Sequence, residues 1–328
     1  MIRPIPSGTR DVLPDEMREL RAITEPMRAA FERFGYGEVY TPALEYESTL
    51  ATAVQAGLDP SLPGAAPAYR LFDENGEVLV LRSDMTVPIA RVAATRYAGS
   101  DPPLRFCYFA HAYRGVRPQR GQPREFLQAG IELIGSAAPE GTAEALTVLC
   151  ATLDAAGLEG YRVGMGDAGL YPALLDSLRV SGAARAELMQ ALARRDFVAL
   201  EHRIDGLGLD AEAAALLVEV PQRRGGKDLL SAPDGAVAEA AGRMARVRDL
   251  LDPAVGERII FDLGLSRGLG YYTGAVFEVY DPALGAPLGG GGRYDDLLAR
   301  FGRPLPAVGF ALNVERLHLA LTGEERYR

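Results

Sequence analysis

The chain has 328 residues, of which 48% are hydrophobic, and a formal net charge of −9 at pH 7. This length suits one large domain or a large domain with a smaller one, and the acidic balance argues against broad electrostatic adhesion to nucleic acid. No apolar run reaches the roughly 18 residues of a membrane span, and the first residues lack the apolar core of a secretory signal.

Hydrophobic periodicity and turn residues predict an alternation of helices and strands in the first part of the chain. Its elements are a helix over 14–34, an extended segment over 37–46, a loop over 50–68, a hairpin over 69–81, a strand ending near residue 82 and a helix from 86–88. Asp84 lies where that strand passes into the helix. It is either an Asx-type helix cap or a ligand-binding carboxylate, and the local sequence leaves both open.

Residues 104–135 are predicted to form a long hairpin that carries the candidate site. Four apolar residues of its second strand share one face at period two, namely Leu127, Ala129, Ile131 and Leu133. The opposite face carries Gln128, Gly130 and Glu132, which suits a polar ligand lying on a sheet. An isolated solvated hairpin would explain this pattern. The arginines near the tip, which are Arg114, Arg117, Arg120 and Arg124, favour an anion site instead.

The second half of the chain changes from helical to glycine-rich. After a helix over 143–153 and a strand over 161–165, residues 171–252 read as a helical insertion without a convincing strand. The later elements are strands over 258–263 and 271–280, a four-glycine segment over 289–292, a short helix to 301, and a strand from 306 that becomes a helix near Ala311. Arg316 in this last helix either meets an anion at the helix N-terminus or forms a surface salt bridge.

The sequence lacks the usual catalytic and metal-binding devices. His111, His202 and His318 are far apart and make no metal pair, and no P-loop, nucleophile elbow or dinucleotide fingerprint occurs. Cys107 and Cys150 form no disulfide framework, so we interpret them as buried thiols in a reducing cytoplasm. We therefore expect no metal and no cofactor.

Several segments resemble one family. The stretch YRGVRPQRGQPREFLQAGIELIG resembles the second signature motif of class II aminoacyl-tRNA synthetases, in the version of histidyl-tRNA synthetase. RGLGYYTGAVFE resembles the histidine-specific segment of that enzyme, and GGGGRYDDLL with PAVGFALNVERL resembles the third motif. PSGTRDVLP and LRSDMTVPIAR resemble the opening of the family and its strand-to-helix turn. The resemblance covers residues 6–321 except the helical insertion.

The resemblance implies an α+β fold, with a mainly antiparallel sheet of six or seven strands flanked by helices. Residues 1–170 and 253–328 would form the synthetase-like core domain, and residues 171–252 would be the helical insertion.

The resemblance also implies a pocket for L-histidine. Asp84 and Thr86 would meet the α-amino group, Arg114 the carboxylate, and Gln128 would help to orient the amino acid. The imidazole N–H groups would be taken by Glu132 and one tyrosine of the pair Tyr271 and Tyr272. Arg267 is retained as well, and we interpret it as neutralising the ligand carboxylate. A ligand with a cation, a carboxylate and two ring nitrogens calls for such a set of groups.

Two observations favour the non-synthetase branch of the family, the regulatory subunits of ATP phosphoribosyltransferase. The sequence ends at Arg328, without room for an anticodon-binding domain of about a hundred residues. The ATP-handling positions are also changed, because Val116 replaces an adenine-facing carboxylate, Gln122 replaces a phosphate-binding arginine, and RSDMT stands where the synthetase has RPEGT.

The resemblance then implies a cytoplasmic, non-catalytic subunit in the first step of L-histidine biosynthesis. It would activate a short-form catalytic subunit and mediate feedback inhibition by histidine, as a homodimer within a larger hetero-oligomer, without tRNA or membrane. The alternatives are a truncated ligase that still forms a histidyl-adenylate and a free-standing histidine-binding module.

Overall fold

The structure is a computed structural model that describes residues 5–53, 68–116, 123–231, 235–266 and 270–327. The α-helices are α1 Pro14–Arg33, α2 Glu47–Ala53, α3 Thr86–Thr95, α4 Glu140–Ala155, α5 Leu170–Ser177, α6 Gly182–Ala193, α7 Phe197–Asp205, α8 Ala211–Glu219, α9 Gly235–Asp249, α10 Pro253–Gly256, α11 Leu297–Arg300 and α12 Val314–Tyr327. The strands are β1 Gly37–Glu38, β2 Leu44–Tyr46, β3 Arg70–Phe72, β4 Val78–Leu81, β5 Leu104–Tyr113, β6 Glu125–Ile134, β7 Arg162–Asp167, β8 Arg224–Gly225, β9 Ile259–Asp262, β10 Ala275–Tyr280, β11 Gly289–Arg293 and β12 Ala307–Asn313.

Across the described ranges, nine strands form one sheet in the order β1-β5-β6-β12-β11-β10-β7-β9-β8. Most neighbours are antiparallel, but β1 pairs with β5 and β7 with β9 in parallel. The prediction of a mainly antiparallel sheet flanked by helices is therefore right in outline, whereas the expected six or seven strands are too few. The two edge strands β1 and β8 have two residues each, which is too short for a period-two pattern to reveal.

The two faces of the sheet carry different cores. A large apolar cluster includes α1, α4 and α12 and the apolar face of β6, with Phe31, Leu149, Leu317 and Ile131 among its members. A smaller cluster on the other face joins α3 and α11 to β5 and contains several tyrosines. The candidate site lies on this second face.

The central hairpin confirms the predicted division of β6. Ile131 and Leu133 are fully buried in the large cluster. The residues of opposite parity pair across β5 and β12, since Glu132 lies between Phe106 and Gly309, and Gln128 between Ala110 and Asn313. Neighbouring residues in a sheet share a face, so these pairs line one continuous surface.

Several elements differ from prediction. Helix α2 occupies the start of the predicted loop, and the rest of that loop lies outside the described residues. Strand β10 begins at Ala275 rather than residue 271, because residues 270–274 form a loop in which the Thr273 N–H donates to the Arg293 carbonyl at 2.8 Å. Helix α12 begins at Val314 rather than near Ala311, because the Asn313 side chain accepts the Arg316 N–H at 2.8 Å and caps the helix. Strand β8 lies in the insertion, where no strand was predicted.

A separate sheet of three strands, in the order β2-β4-β3, lies beside the main one. Its exposed face carries Leu44, Tyr46 and Leu71, which share one side with Leu79 and Leu81. The segment 171–252 contains helices α5–α9, and its Leu188, Leu217 and Met244 belong to the large apolar cluster. In the described part of the chain, no helix is both long and apolar enough to cross a membrane.

Candidate functional site

Glu132 is the centre of the candidate site. Its side chain is 1% exposed and lies near the C-terminal end of β6. The neighbouring residue on β12 is Gly309, where a Cβ atom would lie 2.0 Å from Glu132 Oε2. The carboxylate therefore lies flat over β12 only because that position has no side chain.

The Glu132 carboxylate is held by hydroxyl groups from two other elements. Thr86, the first residue of α3, donates its hydroxyl to Oε1 at 2.7 Å, and the Tyr294 hydroxyl donates to Oε2. Burial raises the pKa of Glu132 to about 8, and the charge of Asp84 adds to the rise, although the bonds from Tyr294 and Thr86 oppose it. The site therefore holds a carboxyl group that titrates near neutral pH.

Asp84 fills the first of the two roles that its sequence position left open, that of a helix cap. Its Oδ1 atom accepts the backbone N–H groups of Thr86 at 3.0 Å and Val87 at 3.4 Å, so it caps α3. It also belongs to the site electrostatically. Burial raises the pKa of Asp84, whereas the bonds from Val87 and Thr86 and the positive charge of Arg114 lower it.

Three tyrosines, Tyr108, Tyr271 and Tyr294, lie near the Glu132 carboxylate, and Tyr272 packs against Tyr271. Tyr271 is 9% exposed, forms a hydrogen bond with Thr86, and packs with a centroid distance of 5.0 Å to Tyr272 and 5.8 Å to Tyr294. Tyr108 of β5 is 1% exposed, and its hydroxyl donates to the Phe310 carbonyl at 3.4 Å. Burial raises the pKa of Tyr108, Tyr271 and Tyr294 well above the usual range, so all three remain neutral donors.

Arg114 and Gln128 lie toward the hairpin tip. The Arg114 guanidinium lies 4.8 Å from the centre of the Phe126 ring, and its charge acts on Asp84. Gln128 is 5% exposed, and no described residue donates to its Oε1 atom. A buried acceptor without a donor is uncommon and indicates a position at which a ligand group could donate.

The structure thus brings seven of the eight predicted site residues to one face of the sheet, or to the loop and helix beside it. They are Asp84, Thr86, Arg114, Gln128, Glu132, Tyr271 and Tyr272. Arg267 lies outside the described residues, as do Arg117, Arg120 and Gln122 of the hairpin tip. Arg124 lies at the base of the tip, where its backbone N–H donates to the Gly8 carbonyl at 2.7 Å.

Arg316 makes a backbone contact that the sequence did not predict. Its Nη1 atom donates to the Pro287 carbonyl at 2.5 Å, so the guanidinium ties α12 to the loop before β11. Burial lowers the pKa of Arg316, although the nearby Glu278 carboxylate opposes this effect.

Sequence reasoning missed Tyr294, Tyr108 and Gly309. Tyr108 has the same parity as Arg114 along the first strand of the hairpin, and this parity could have placed it on the ligand face. Tyr294 directly follows the glycine strand, but its contact with Glu132 depends on the pairing of β12 with β6. That long-range register has no local signal.

The donor types favour an organic ligand over a metal. Within the described ranges, no group of three or more histidine, cysteine, aspartate or glutamate side chains could hold a metal ion. Cys107 and Cys150 are buried free thiols in β5 and α4. A buried carboxylate, neutral hydroxyls, an aspartate and an arginine together suit a small zwitterion with a polar side chain.

Comparison with known proteins points to one family. The family model for histidyl-tRNA synthetase matches residues 8–317. A protein of Symbiobacterium thermophilum named ATP phosphoribosyltransferase regulatory subunit is 42% identical over 325 residues, which cover 96% of this chain and 79% of that protein.

Two solved structures are similar over nearly the whole chain. One, described as an ATP phosphoribosyltransferase regulatory subunit/histidyl-tRNA synthetase from Bacillus halodurans, has a TM-score of 0.87 and 33% identity, and the match covers 98% of this chain and 84% of that one. The other is a histidine–tRNA ligase subunit from Alicyclobacillus acidocaldarius, with a TM-score of 0.80 and 31% identity. The match covers 99% of this chain and 99% of that one.

The raised pKa of Glu132 predicts a pH-dependent stability. The pKa of Glu132 is about 8 in the folded chain and about 4.3 in an unfolded chain. The protonated form therefore contributes fully to the free energy of unfolding at low pH, and this contribution is lost as the pH rises from about 4.3 toward 8. Glu132→Gln removes this titration. Between pH 5.5 and 7.5, the free energy of unfolding of the variant minus that of the wild type should therefore rise by about 1–3 kcal/mol.

Denaturant unfolding at several pH values measures this difference. Glu144→Gln is the matched control, because the bonds from Arg105 and Tyr36 outweigh burial and lower the pKa of Glu144. Its difference from the wild type should stay constant over the same range. A constant difference for Glu132→Gln as well would contradict the raised pKa.

Proposed function

Because the chain belongs to the histidyl-tRNA synthetase family, within its ATP phosphoribosyltransferase regulatory subunits, we propose that it is a histidine sensor that controls a catalytic partner. The name of the curated relatives, ATP phosphoribosyltransferase regulatory subunit, indicates a regulatory rather than an aminoacylating role and implies a catalytic subunit of that enzyme as partner. The pocket around Glu132 would bind free L-histidine, the end product of the pathway. The partner would be the short form of the catalytic subunit.

The observation that carries this proposal is the buried Glu132 carboxylate, with neutral hydroxyls around it. Such a carboxylate can accept a hydrogen bond from an imidazole N–H, and no second acidic group is needed. Thr86 and Tyr294 already orient the two carboxylate oxygens, so little rearrangement is needed on binding. Tyr271 or Tyr272 would take the second ring nitrogen.

The main-chain groups of the amino acid would lie toward the hairpin tip. Asp84 would face the α-amino group and Arg114 the carboxylate, a pairing in which both charges are matched. Gln128 Oε1 would accept an N–H from the ligand, which would satisfy an acceptor that no described residue fills. Arg267 would add positive charge on the carboxylate side.

The chemistry of the hairpin supports binding without activation. Val116 has an apolar side chain at the position where a synthetase presents a carboxylate to adenine, and its backbone N–H donates to the Arg114 carbonyl at 2.8 Å. The second candidate, a ligase that forms histidyl-adenylate, is favoured by the name of the Alicyclobacillus acidocaldarius structure. It would need ATP contacts that Val116 and Gln122 do not provide.

We further propose that two copies of the chain associate within a larger assembly with the catalytic subunit. The exposed apolar face of the small sheet supports such an association, with Leu44, Tyr46 and Leu71 exposed by 41%, 50% and 43%. A cytoplasmic location fits the two free thiols, since oxidising compartments favour disulfides. The assembly would need neither tRNA nor a membrane.

Glu132→Gln should weaken histidine binding about ten- to a hundredfold, because a charge-assisted hydrogen bond contributes roughly 1.5–3 kcal/mol. Isothermal titration of the purified chain with L-histidine above pH 8, where Glu132 is ionised, measures the dissociation constant. Glu144→Gln, which changes a carboxylate on the other side of the sheet, should leave it unchanged. An equal dissociation constant for Glu132→Gln and the wild type would exclude Glu132 as a ligand contact.

The chain should catalyse no histidine-dependent exchange between pyrophosphate and ATP above background. Val116 cannot hydrogen bond to adenine, and Gln122 lacks the positive charge that would hold a phosphate. Labelled pyrophosphate with ATP and histidine provides the assay. Robust exchange that Glu132→Gln abolishes would favour the ligase.

Mixing the chain with a short-form ATP phosphoribosyltransferase should raise transferase activity and make it inhibitable by histidine. Arg114→Ala should reduce the inhibition more than the stimulation, since Arg114 lies in the pocket. Steady-state rates with and without histidine measure both effects. Separate elution of the two proteins, with a transferase rate equal to that of the catalytic subunit alone, would contradict the proposal.

A further inference from the structure

A threonine in the loop before β10 is bonded to the main chain on both sides of a pocket tyrosine. The N–H of Thr273 donates to the Arg293 carbonyl at 2.8 Å, and the Thr273 hydroxyl donates to the same oxygen at 3.4 Å. The Asp295 N–H donates to the Thr273 hydroxyl at 3.0 Å. Thr273 therefore binds the residue immediately before Tyr294 and the residue immediately after it.

The bond from Asp295 lies beyond the regular pairing of the sheet. The pairing of β10 with β11 ends at Val276 and Gly292, so the Asp295 N–H has no partner on a paired strand there. The Thr273 hydroxyl accepts it instead, which satisfies a main-chain donor. A β-branched side chain has few χ1 rotamers, and the hydroxyl is therefore held in a fixed direction.

The position of Tyr294 matters because its side chain reaches the centre of the pocket. Tyr294 is 2% exposed, and its hydroxyl donates to Glu132. Its N–H donates to the Ala307 carbonyl at 2.8 Å, and the Ala307 N–H donates to Asp295 Oδ1 at 3.1 Å. The main chain around Tyr294 is thus fixed by bonds to β12 and by bonds to Thr273.

The loop that contains Thr273 also carries the other two tyrosines of the pocket. A Cβ atom on Gly292 would lie 2.7 Å from Tyr272 Cδ1, so the Tyr272 ring can lie over β11 only because that position is glycine. The Tyr271 ring meets the Tyr294 ring edge to face, with centroids 5.8 Å apart. Thr273 therefore joins the two segments that supply these tyrosines.

We propose that Thr273 is a positioning residue, which holds the Tyr294 hydroxyl on Glu132 and thereby sets the affinity of the pocket for histidine. The inference rests on the proposed function, since it assumes that Glu132 accepts the imidazole N–H. The Thr273 hydroxyl is used by main-chain groups, so it acts through Tyr294 rather than on the ligand. Without this hydroxyl, the Asp295 N–H loses its acceptor and the main chain beside Tyr294 loses a bond.

Thr273→Val tests the proposal, because valine keeps the branched shape and removes the hydroxyl. Thr273→Ser keeps the hydroxyl and should restore binding. Thr322→Val is the matched control, since the Thr322 hydroxyl donates to the His318 carbonyl at 2.9 Å within α12, which packs against the other face of the sheet. Isothermal titration with L-histidine above pH 8 should show a dissociation constant raised about three- to tenfold for Thr273→Val. Thr273→Ser and Thr322→Val should stay within about twofold of the wild type.

The titration of Glu132 separates positioning of Tyr294 from a general loss of structure, and it needs no ligand. The hydrogen bond from Tyr294 lowers the pKa of Glu132, so Thr273→Val should raise this pKa further. The carboxyl carbon signal of 13C-labelled glutamate measures it by NMR, and Glu132→Gln identifies the signal by removing it. In a Tyr294→Phe background, Thr273→Val should cause no further rise, because the two changes remove the same contact.

Two results would overturn the proposal while leaving the proposed function intact. One is histidine binding by Thr273→Val that equals binding by Thr322→Val, and the other is a Glu132 titration in Thr273→Val that equals the wild type. Histidine binding by Thr273→Ser as weak as that by Thr273→Val would also contradict a role of the hydroxyl. If the wild type binds no histidine, the proposed function fails, and the Glu132 titration still decides whether Thr273 holds Tyr294 in place.

Discussion

The site depends on one constraint, which is the presence of a carboxylate in the interior of a sheet. A buried charge without partners is strongly unfavourable, and Glu132 is 1% exposed on the second strand of the central hairpin. The Glu132 carboxylate accepts hydrogen bonds from the hydroxyl groups of Thr86 and Tyr294, and Gly309 leaves space for it. Because neutral hydroxyls do not neutralise the charge, the pKa of Glu132 stays near 8, and a donor group of a ligand can add to its stabilisation.

The rest of the architecture divides its tasks between the two faces of the large sheet. The face toward α1, α4 and α12 is a continuous apolar core, which supplies most of the burial that stabilises the fold. The other face carries glycines and tyrosines around Glu132 and has a smaller core. The pocket thus lies on the face opposite the large core, and its contacts come from α3 and from the segments around Tyr271 and Tyr294.

Local patterns predicted much of this arrangement. Period two placed Glu132 and Gln128 on the face opposite Ile131 and Leu133, because alternation along a strand is a property of the strand itself. Asp84 was identified from its position in the strand-to-helix turn, which is also a local feature of the sequence. The family resemblance supplied Thr86, Arg114 and the two tyrosines 271 and 272.

The remainder depends on contacts between distant parts of the chain. Tyr294 and Gly309 reach Glu132 only through the pairing of β12 with β6 and with β11, and no local pattern encodes that register. The same holds for the parallel pairing of β1 with β5 and of β9 with β7. It also holds for the ion pairs of Asp262 with Arg195 and Arg224, which lie far from it in sequence. Asn313 shows the opposite case, since a cap residue was present in the sequence and the helix start was still placed too early.

The central claim is that a synthetase-like pocket has become a sensor for free histidine that acts on a partner. Its most direct test is calorimetric titration of L-histidine into the isolated chain, into the isolated catalytic subunit, and into their mixture. The account predicts saturable binding to the isolated chain with one histidine per chain, and a changed affinity in the mixture, because regulation requires coupling between the two sites. Binding to the catalytic subunit alone, with no heat from this chain at saturating histidine, would contradict it.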